Sequence, residues 1–229
     1  MKALVLFSGG LDSSVCLAMA VKEYGAKEVL VLSIFYGQKH TKELEASEQL
    51  AAFYGVKRLT LDLGAIFEGS DCSLLEHSDA DIPHESYGDQ LSGTEGAPVS
   101  TYVPFRNGLF LSSAASIALS HGCEVIYYGI HADDAAGNAY PDTGKAFQDA
   151  ISEAVHIGSG NALTVVAPFL DKAKAYVVKT GTELGVPFEL TWSCYEGHDK
   201  ACGVCGTCRD RLAAFTENGL SDPIPYETL

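Results

Sequence analysis

Short apolar runs alternate with longer segments of helical periodicity along most of the chain. Runs that are apolar almost throughout predict parallel strands covered on both faces, and a run with strict alternation predicts a half-buried strand. The predicted strands are residues 3–7, 27–36, 58–63, 124–130 and 162–167. The predicted helices are residues 15–24, 38–54, about 102–120, 144–157 and 172–184. Because strands that alternate with helices are joined by right-handed crossovers, the sequence predicts an α/β fold with a doubly wound, mainly parallel sheet.

One long segment interrupts this alternation. Residues 69–98 are rich in Ser, Asp, Gly and Glu and contain Pro83 and Pro98. A break of this length inside a compact domain is typical of disorder or of a functional lid. We therefore predict one domain over residues 1–188, with a mobile flap at about residues 69–98.

The first predicted strand is followed by a turn that contains two glycines, three hydroxyl groups and a carboxylate. The turn and its flanks are Phe7, Ser8, Gly9, Gly10, Leu11, Asp12, Ser13 and Ser14. The N-terminus of a helix attracts anions, and glycines let the backbone approach a phosphate closely. The segment is neither a GxxxxGK[ST] loop nor a GxGxxG loop. It predicts a phosphate site, and the alternative is an ordinary turn with Asp12 or Ser13 as the N-cap.

Two further segments combine polar side chains with a position at the end of a buried element. Arg106 and Asn107 open a helix that is apolar nearly all round, and Arg106 either pairs with an acidic neighbour or holds a phosphate or carboxylate bidentately. Residues 131–142 follow a buried strand, at the sheet edge where α/β proteins bind ligands. We predict site residues there, and the alternative is a solvated loop with Asp142 or Thr143 as a helix cap.

Four of the seven cysteines are crowded near the C-terminus with the spacing C-x7-C-x2-C-x2-C. They are Cys194, Cys202, Cys205 and Cys208. Four thiolates form a closed tetrahedral Zn²⁺ site of the structural type. A redox Cys-x2-Cys pair is the main alternative, and His198 is a possible substitute ligand. Because residues 189–229 have few strongly apolar side chains, we predict a small zinc-binding appendage that the metal fixes to the main domain.

The net charge and the lengths of the apolar runs indicate which kinds of binding partner to expect. The 229-residue chain has a net charge of −15, which favours small-molecule substrates over nucleic acids, because nucleic-acid binding depends on basic patches. No apolar run approaches the roughly 20 residues that span a bilayer, and the N-terminus does not have the pattern of a signal peptide. We therefore expect a cytoplasmic protein with no membrane or nucleic-acid partner.

The sequence resembles known families at two levels. Ser-Gly-Gly-x-Asp-Ser at residues 8–13 resembles the pyrophosphate loop of the N-type ATP pyrophosphatase superfamily, which implies an adenine nucleotide α hydrolase-like fold. The loop occurs together with further motifs over essentially the whole chain. These are Tyr36-Gly37-Gln38, Val103-Pro104-x-Arg106-Asn107, Tyr140-Pro141-Asp142, Thr191-Trp192-Ser193-Cys194-Tyr195 and the cysteines. The combination resembles the 7-cyano-7-deazaguanine synthase (QueC) family.

This resemblance implies an ATP-dependent ligase that converts 7-carboxy-7-deazaguanine and ammonia to the nitrile through adenylylated intermediates. It implies ATP as co-substrate, Mg²⁺, one structural Zn²⁺ on the four cysteines, and a homodimer. The implied ATP-binding residues are the loop residues 7–14 together with Tyr36 and Gln38. The implied substrate-binding residues are Arg106, Asn107, His131, Asp133, Tyr140 and Asp142, and Asp134 is a further carboxylate for the guanine-like edge. Asp12, Ser13 and Arg106 are the implied catalytic residues.

One departure from the family pattern keeps alternatives open. Thr143-Gly144-Lys145 stands where many members carry a cysteine and an acidic residue. A related enzyme that stops at the amide, or that joins the deazaguanine to another acceptor, is therefore an alternative. Alternatives of other classes are a tRNA thiolation or lysidine-type enzyme with the same loop, and a non-catalytic nucleotide sensor.

Overall fold

A parallel sheet of five strands forms the centre of the protein. The computed structural model describes residues 1–85, 87–92, 97–133 and 140–227. The strands are β1 (Ala3–Leu6), β2 (Val29–Phe35), β3 (Lys57–Asp62), β4 (Val125–Tyr127) and β5 (Thr164–Val166). Their order is β3-β2-β1-β4-β5, and all neighbouring pairs are parallel. The predicted α/β fold with a mainly parallel sheet is therefore confirmed.

Seven α-helices surround the sheet in the described ranges. They are α1 (Leu11–Tyr24), α2 (Lys42–Tyr54), α3 (Tyr87–Ser92), α4 (Arg106–Ser120), α5 (Lys145–Gly158), α6 (Lys174–Glu183) and α7 (Gly206–Glu217). Short 3₁₀ turns occur at Ala26–Glu28, Gly64–Phe67, Pro141–Thr143 and Phe188–Leu190. Within these ranges, no helix has both the length and the apolar character that crossing a membrane requires.

The two faces of the sheet carry two separate cores. Strand β1 is fully buried, and its alternate side chains enter different cores, Ala3 and Val5 in one and Leu4 and Leu6 in the other. The first core is closed by α1, α2, α6 and α7, and the second by α4 and α5. This arrangement explains why the strand sequences are apolar throughout rather than alternating.

Most element boundaries differ from the sequence prediction by a few residues, and three of the differences concern the sheet edge. Helix α1 begins at Leu11, earlier than predicted, and β4 ends at Tyr127 rather than at residue 130. Helix α2 begins at Lys42 rather than at residue 38, because Gln38 forms a bridge with Leu75 and its Oε1 accepts the Tyr36 N–H at 2.8 Å. The backbone after β2 is therefore a turn at the sheet edge rather than the start of a helix.

Part of the predicted flap is buried. Cys72, Leu74 and Leu75 pack with Phe67, Tyr36 and Val103 in a small apolar cluster. Residues 72–75 are thus part of the protein interior, which corrects the prediction that the whole of residues 69–98 is a mobile flap. Residue 86 and residues 93–96 of that segment lie outside the described ranges.

The C-terminal segment is held to the main domain by protein contacts as well as by its cysteine cluster. Ala214 and Phe215 of α7 belong to the core that contains α1 and α6. Arg211 is fully buried and makes a bidentate ion pair with the buried Asp222, with N···O distances of 2.6 and 2.9 Å. Its guanidinium also donates to Thr191 Oγ1 at 2.7 Å and to the Phe188 carbonyl at 3.2 Å. One side chain therefore joins Phe188, at the end of the main domain, to two parts of the segment.

We predict that Asp222→Asn lowers the free energy of unfolding by about 3–5 kcal/mol, because it leaves the Arg211 charge buried without its partner. Urea denaturation followed by circular dichroism measures the change. The matched control is Asp149→Asn, which breaks an exposed pair with Lys145 and should shift stability by no more than about 0.5 kcal/mol. Equal effects of the two substitutions would contradict the assignment of Arg211 as a buried anchor.

Candidate active site

A cleft of about 230 Å³ opens at the carboxyl ends of the central strands. It is lined by residues from the loops after β1, β2 and β4, by the first turns of α2, α4 and α6, and by the C-terminal segment. Strand β1 lies between β2 and β4, so the cleft is at the point where the strand order reverses. That position is where open α/β sheets bind their ligands.

The loop after β1 presents the start of α1 to the cleft. Gly10 is the N-cap of α1, and no described side chain caps this helix. The hydroxyls of Ser13 and Ser14 instead donate back to the Gly10 carbonyl, at 3.2 and 2.7 Å, and Ser8 Oγ accepts the Gly10 N–H at 3.1 Å. Because the serines do not cover the first N–H groups, the positive end of the helix is available to an anion.

The loop after β1 packs so closely against two backbone segments that glycine is required at both contacts, at Gly9 and at Gly129. Gly9 has φ +89°, and a Cβ there would lie 2.5 Å from the Ser47 nitrogen and closer still to the Glu43 carbonyl. Gly129, which follows β4, faces the loop from the other side, where a Cβ would lie 3.0 Å from the Ser13 nitrogen. The backbones of α2 and of the chain after β4 therefore fix the shape of the loop.

Asp12 is at the centre of a charged cluster beneath the loop. Its carboxylate lies 3.4 Å from Lys174 Nζ and 3.8 Å from His131 Nε2, and Lys174 Nζ lies 3.4 Å from the same histidine nitrogen. Burial acts to raise the pKa of Asp12, but the charges of Lys174 and His131 outweigh it and hold the pKa below its ordinary value. Asp12 Oδ1 is buried and accepts no hydrogen bond from the described residues. The cluster thus contains an ionised carboxylate oxygen without a hydrogen-bond donor among the described residues.

Asp133 supports this cluster from its exposed side. Its Oδ2 accepts the backbone N–H of Lys174 at 2.9 Å and lies 3.7 Å from His131 Nδ1. Lys174 is the first residue of α6, so Asp133 acts as an N-cap for that helix. The carboxylate positions both the lysine and the histidine beside Asp12.

Arg106 lies on the opposite wall of the cleft. Its guanidinium stacks over the Tyr36 and Phe110 rings, 5.1 and 5.7 Å from their centroids, and Nη1 donates to Tyr36 Oη at 3.3 Å. No described carboxylate lies within 4 Å of it. Of the two sequence-based interpretations, pairing with an acidic neighbour is therefore not observed in the described part of the chain. The guanidinium has donors that a phosphate or carboxylate can accept.

The backbone before Arg106 is strained. Phe105 has φ +53°, an uncommon conformation for a bulky side chain, and its N–H donates to Tyr102 Oη at 2.9 Å. A Cβ at Gly108 would overlap the Phe105 ring. This conformation of Phe105 sets the direction in which α4, and hence Arg106, enters the cleft.

Asp142 and Tyr140 both make contacts inside the protein. Asp142 Oδ2 accepts the Asn107 N–H at 2.8 Å and so caps α4, while Tyr140 Oη lies 2.7 Å from Thr101 Oγ1. Burial raises the pKa of Asp142, although the Asn107 N–H and Arg106 act in the opposite direction. Both residues line the cleft, so they combine a supporting contact with access to a ligand.

The structure brings most of the predicted site residues together. The cleft is lined by Phe7, Ser8, Gly10, Asp12, Ser13, Tyr36, Gln38, Arg106, Asn107, Tyr140 and Asp142. His131 and Asp133 lie behind Asp12. Gly9, Leu11 and Ser14 support the loop without lining the cleft, and Leu11 is fully buried in the core. Asp134 lies outside the described residues.

Two charged residues of the helices that follow β2 and β5, Glu43 and Lys174, also line the cleft, although the sequence analysis did not single them out. Each belongs to the first turn of a helix that follows a strand, a position that does point to the carboxyl edge of the sheet. Burial raises the pKa of Glu43 to about 7, although the charge of Arg106 acts in the opposite direction. The C-terminal segment adds four more lining residues, Ser193, Tyr195, Thr207 and Asp210.

The four C-terminal cysteines form a site that fits a metal ion. Their Sγ atoms all lie within 4.8 Å of one another, and the four residues are buried. Backbone N–H groups point at two of the sulfurs, with the Cys202 nitrogen 3.3 Å from Cys194 Sγ and the Cys205 nitrogen 3.3 Å from Cys202 Sγ. Gly203, with φ +78°, provides the turn between them. Such N–H donors stabilise thiolates, and thiolates are the form in which cysteine binds a metal.

The cysteine cluster is joined directly to the loop of residues 8–13 after β1. The Trp192 N–H donates to the Gly9 carbonyl at 3.0 Å, and Trp192 Nε1 donates to the Cys194 carbonyl at 2.9 Å. Two hydrogen bonds thus connect the loop to the first cysteine. Tyr195 and Ser193, next to that cysteine, line the cleft.

The chain is similar to a described protein family over nearly its full length. Residues 2–219 match the family described as queuosine biosynthesis protein QueC. The 7-cyano-7-deazaguanine synthase of Chlorobaculum parvum is 42% identical over 231 residues, covering 99% of this chain and 97% of that protein. The proteins of the same name from Pseudoalteromonas atlantica and Archaeoglobus fulgidus are each 40% identical, covering 99% and 98% of this chain and 99% and 90% of their own lengths.

We predict that Gly9→Ala lowers the free energy of unfolding by more than about 1 kcal/mol, because the new methyl group meets the α2 backbone at a positive φ. Thermal unfolding measures the change. Gly158→Ala is the matched control, because it lies at the end of α5 with nothing within 4 Å and without a positive φ. There the added methyl should leave stability unchanged or raise it by up to about 1 kcal/mol. A neutral Gly9→Ala would contradict the close packing of the loop.

Proposed function

This chain belongs to the queuosine biosynthesis protein QueC family, and we propose that it is a ligase that converts 7-carboxy-7-deazaguanine and ammonia to 7-cyano-7-deazaguanine. In the proposed reaction, ATP activates the carboxylate as an acyl adenylate, and ammonia displaces AMP to give an amide. A second activation removes the amide oxygen and leaves the nitrile. The observation that supports this proposal best is the uncapped N-terminus of α1, which opens into the same cleft as Arg106.

The chemistry needs positioning and charge stabilisation rather than a protein nucleophile. A carboxylate is a poor electrophile, and its conversion to a mixed anhydride with the α-phosphate supplies AMP as a leaving group. In the proposal, the first N–H groups of α1 and the hydroxyls of Ser8 and Ser13 hold the ATP phosphates. Lys174 and Arg106, on opposite sides of the cleft, balance the charge that develops when pyrophosphate leaves.

We propose that Mg²⁺ binds with the ATP at Asp12. The Oδ1 without a hydrogen-bond donor is the kind of ligand that Mg²⁺ prefers, and the charges of Lys174 and His131 keep this carboxylate ionised against the opposing effect of burial. Bound there, the ion would neutralise phosphate charge. Lys174 and His131 keep Asp12 in position.

The other wall of the cleft is the proposed substrate pocket. The Tyr36 ring and the Arg106 guanidinium offer a flat surface and hydrogen-bond donors to a planar heterocycle with a carboxylate. Gln38, Asn107, Tyr140 and Asp142 supply polar atoms along the same wall, and His131 and Asp133 act from behind Asp12. Asp142 uses one oxygen to cap α4, which fixes the position of its carboxylate in the cleft wall.

We propose that the metal of the cysteine cluster is Zn²⁺ in a structural role. Four thiolates close a tetrahedral shell, so that no position is left for a reacting water. Bound there, the ion would fix residues 194–208. Through Trp192 it would also fix the loop of residues 8–13, which we call the phosphate loop. We also propose that the chain divides into a domain of residues 1–188 and a segment of residues 189–229. The two are not separate folding units, because side chains of the segment belong to the first core.

Partners and location belong to the same proposal. We expect a cytoplasmic homodimer that takes ATP, the deazaguanine carboxylate and ammonia and that binds no nucleic acid, as the net charge of −15 favours. The departure from the family pattern does not add a group with evident chemistry. Thr143 donates to the Tyr140 carbonyl at 2.7 Å, and Lys145 is exposed and pairs with Asp149. No observation favours the amide-forming, conjugating, tRNA-modifying or sensor alternatives.

The decisive experiment is mass spectrometry of the product from 7-carboxy-7-deazaguanine, ammonia and ATP-Mg. We expect the nitrile, with AMP and pyrophosphate released only when the carboxylate is present. Accumulation of the amide or of a conjugate would support the corresponding alternative. ATP binding without turnover would support a sensor, and tight, salt-sensitive tRNA binding would support a tRNA-modifying enzyme.

Asp12→Asn should reduce kcat by at least about 100-fold, because it removes the charge that balances Lys174 and that would hold the metal. Steady-state pyrophosphate release measures the effect. The control is Asp149→Asn, which makes the same substitution at an exposed site. Its kcat should equal that of the unmodified protein. Retention of full turnover by Asp12→Asn would exclude Asp12 from the reaction.

Metal analysis of the reduced protein should find one Zn²⁺ per chain. Cys205→Ser should lose that zinc and lower the melting temperature by more than about 5 °C, since metal binding contributes directly to folding. Cys123→Ala, a cysteine buried in the second core, should keep the full zinc content. A Cys205→Ser variant that retains one tightly bound Zn²⁺ would contradict the four-cysteine site.

A further inference from the structure

Glu43 is a charged residue of the cleft that has no structural partner. Its side chain makes no hydrogen bond or ion pair with any residue that the structure describes, although it is partly buried. The adjacent Lys42 does not neutralise it, because the Lys42 ammonium pairs with Glu45 and Asp199 and lies over the Trp192 ring. The Glu43 carboxylate is therefore free to act on a ligand.

The position of Glu43 is set by the phosphate loop. Its backbone carbonyl is one of the groups that Gly9 packs against, and its Oε1 lies 4.0 Å from the point where a Cβ on Gly10 would be. The carboxylate thus stands beside the N-cap of α1, where the proposed reaction makes and breaks the acyl–phosphate bond. Arg106 and Tyr36 are the charged and titratable groups of neighbouring elements that interact with it electrostatically.

We propose, on the basis of the proposed function, that the Glu43 carboxylate accepts the proton that the attacking nitrogen loses when ammonia displaces AMP. In this step the nitrogen–carbon bond forms and the bond from carbon to the phosphate-linked oxygen breaks. AMP leaves with the electron pair of that bond, and one proton passes from nitrogen to Glu43. The products are the amide, AMP and a protonated Glu43, which returns its proton to solvent.

The chemistry of the site favours this role over recognition of the heterocycle. The hydrogen-bonding edge of a guanine-like ring lies opposite its carboxyl substituent, so a residue that reads this edge should be far from the phosphate loop. Glu43 is instead adjacent to the loop. Its pKa of about 7, raised by burial, suits a group that must lose and gain a proton near neutral pH.

The test separates the two half-reactions. Exchange of labelled pyrophosphate into ATP, in the presence of the carboxylate substrate and without ammonia, reports adenylylation. Amide formation at a fixed concentration of free ammonia reports the second step. Glu43→Gln should slow amide formation by about 100-fold or more and change exchange by less than threefold. Glu43→Asp should restore part of the lost rate.

The pH profile gives an independent signature. For the unmodified protein at constant free ammonia, the rate of amide formation should rise with pH up to about 7 and then level off, because the base acts in its ionised form. Glu43→Gln should lose this inflection. Glu45→Gln, at an exposed position in the same helix turn, is the matched control and should leave both half-reactions and the profile unchanged.

Two results would overturn the role of Glu43. An equal loss of exchange and of amide formation in Glu43→Gln would show that the residue binds ATP or the carboxylate substrate. An unchanged rate of amide formation would show that it takes no part. The absence of carboxylate-dependent exchange in the unmodified protein would instead refute the proposed function, and the role of Glu43 with it.

Discussion

The site depends on the close backbone contacts around Gly9. This residue lies against the first turns of α2 on one side, and its carbonyl accepts the Trp192 N–H on the other. Because no side chain separates these backbones, the loop is held in one shape before any ligand arrives. Donors fixed in advance do not have to reorganise when charge develops, which is the main source of electrostatic catalysis. The strand, the helix and the C-terminal segment all contribute to this one constraint.

The C-terminal segment is consequently part of the site and not only a stabilising addition. Arg211 and Asp222 anchor it with a buried ion pair, and the four cysteines shape the turn that carries Tyr195 to the cleft. A buried pair of this kind contributes little net stability compared with an apolar pair, but it permits only one arrangement of its partners. Thr191, which Arg211 holds, precedes Trp192, so the anchor also determines where the loop is braced.

The sequence predicted those parts of the structure that depend only on residues close together in the chain. The apolar strands, the glycine turn before α1 and the cysteine spacing need no knowledge of distant residues. Periodicity does not reveal Glu43, because it lies among polar residues of the helix and a polar cleft has the same pattern as solvent; only its place in the first turn of α2 points to the sheet edge. Lys174 was missed because its role comes from the approach of α6 to Asp12. The burial of residues 72–75 depends on Tyr36 and Val103, which the apolar pattern of that segment does not reveal.

The hydrogen bond from Trp192 to Gly9 joins residues that lie 183 positions apart in the sequence. During synthesis the loop of residues 8–13 leaves the ribosome long before Trp192, the residue that braces it. Contacts between distant parts of a chain form late, because the intervening loop must first be closed. A chain that stops before Trp192 therefore has the glycine turn without the contact that braces it.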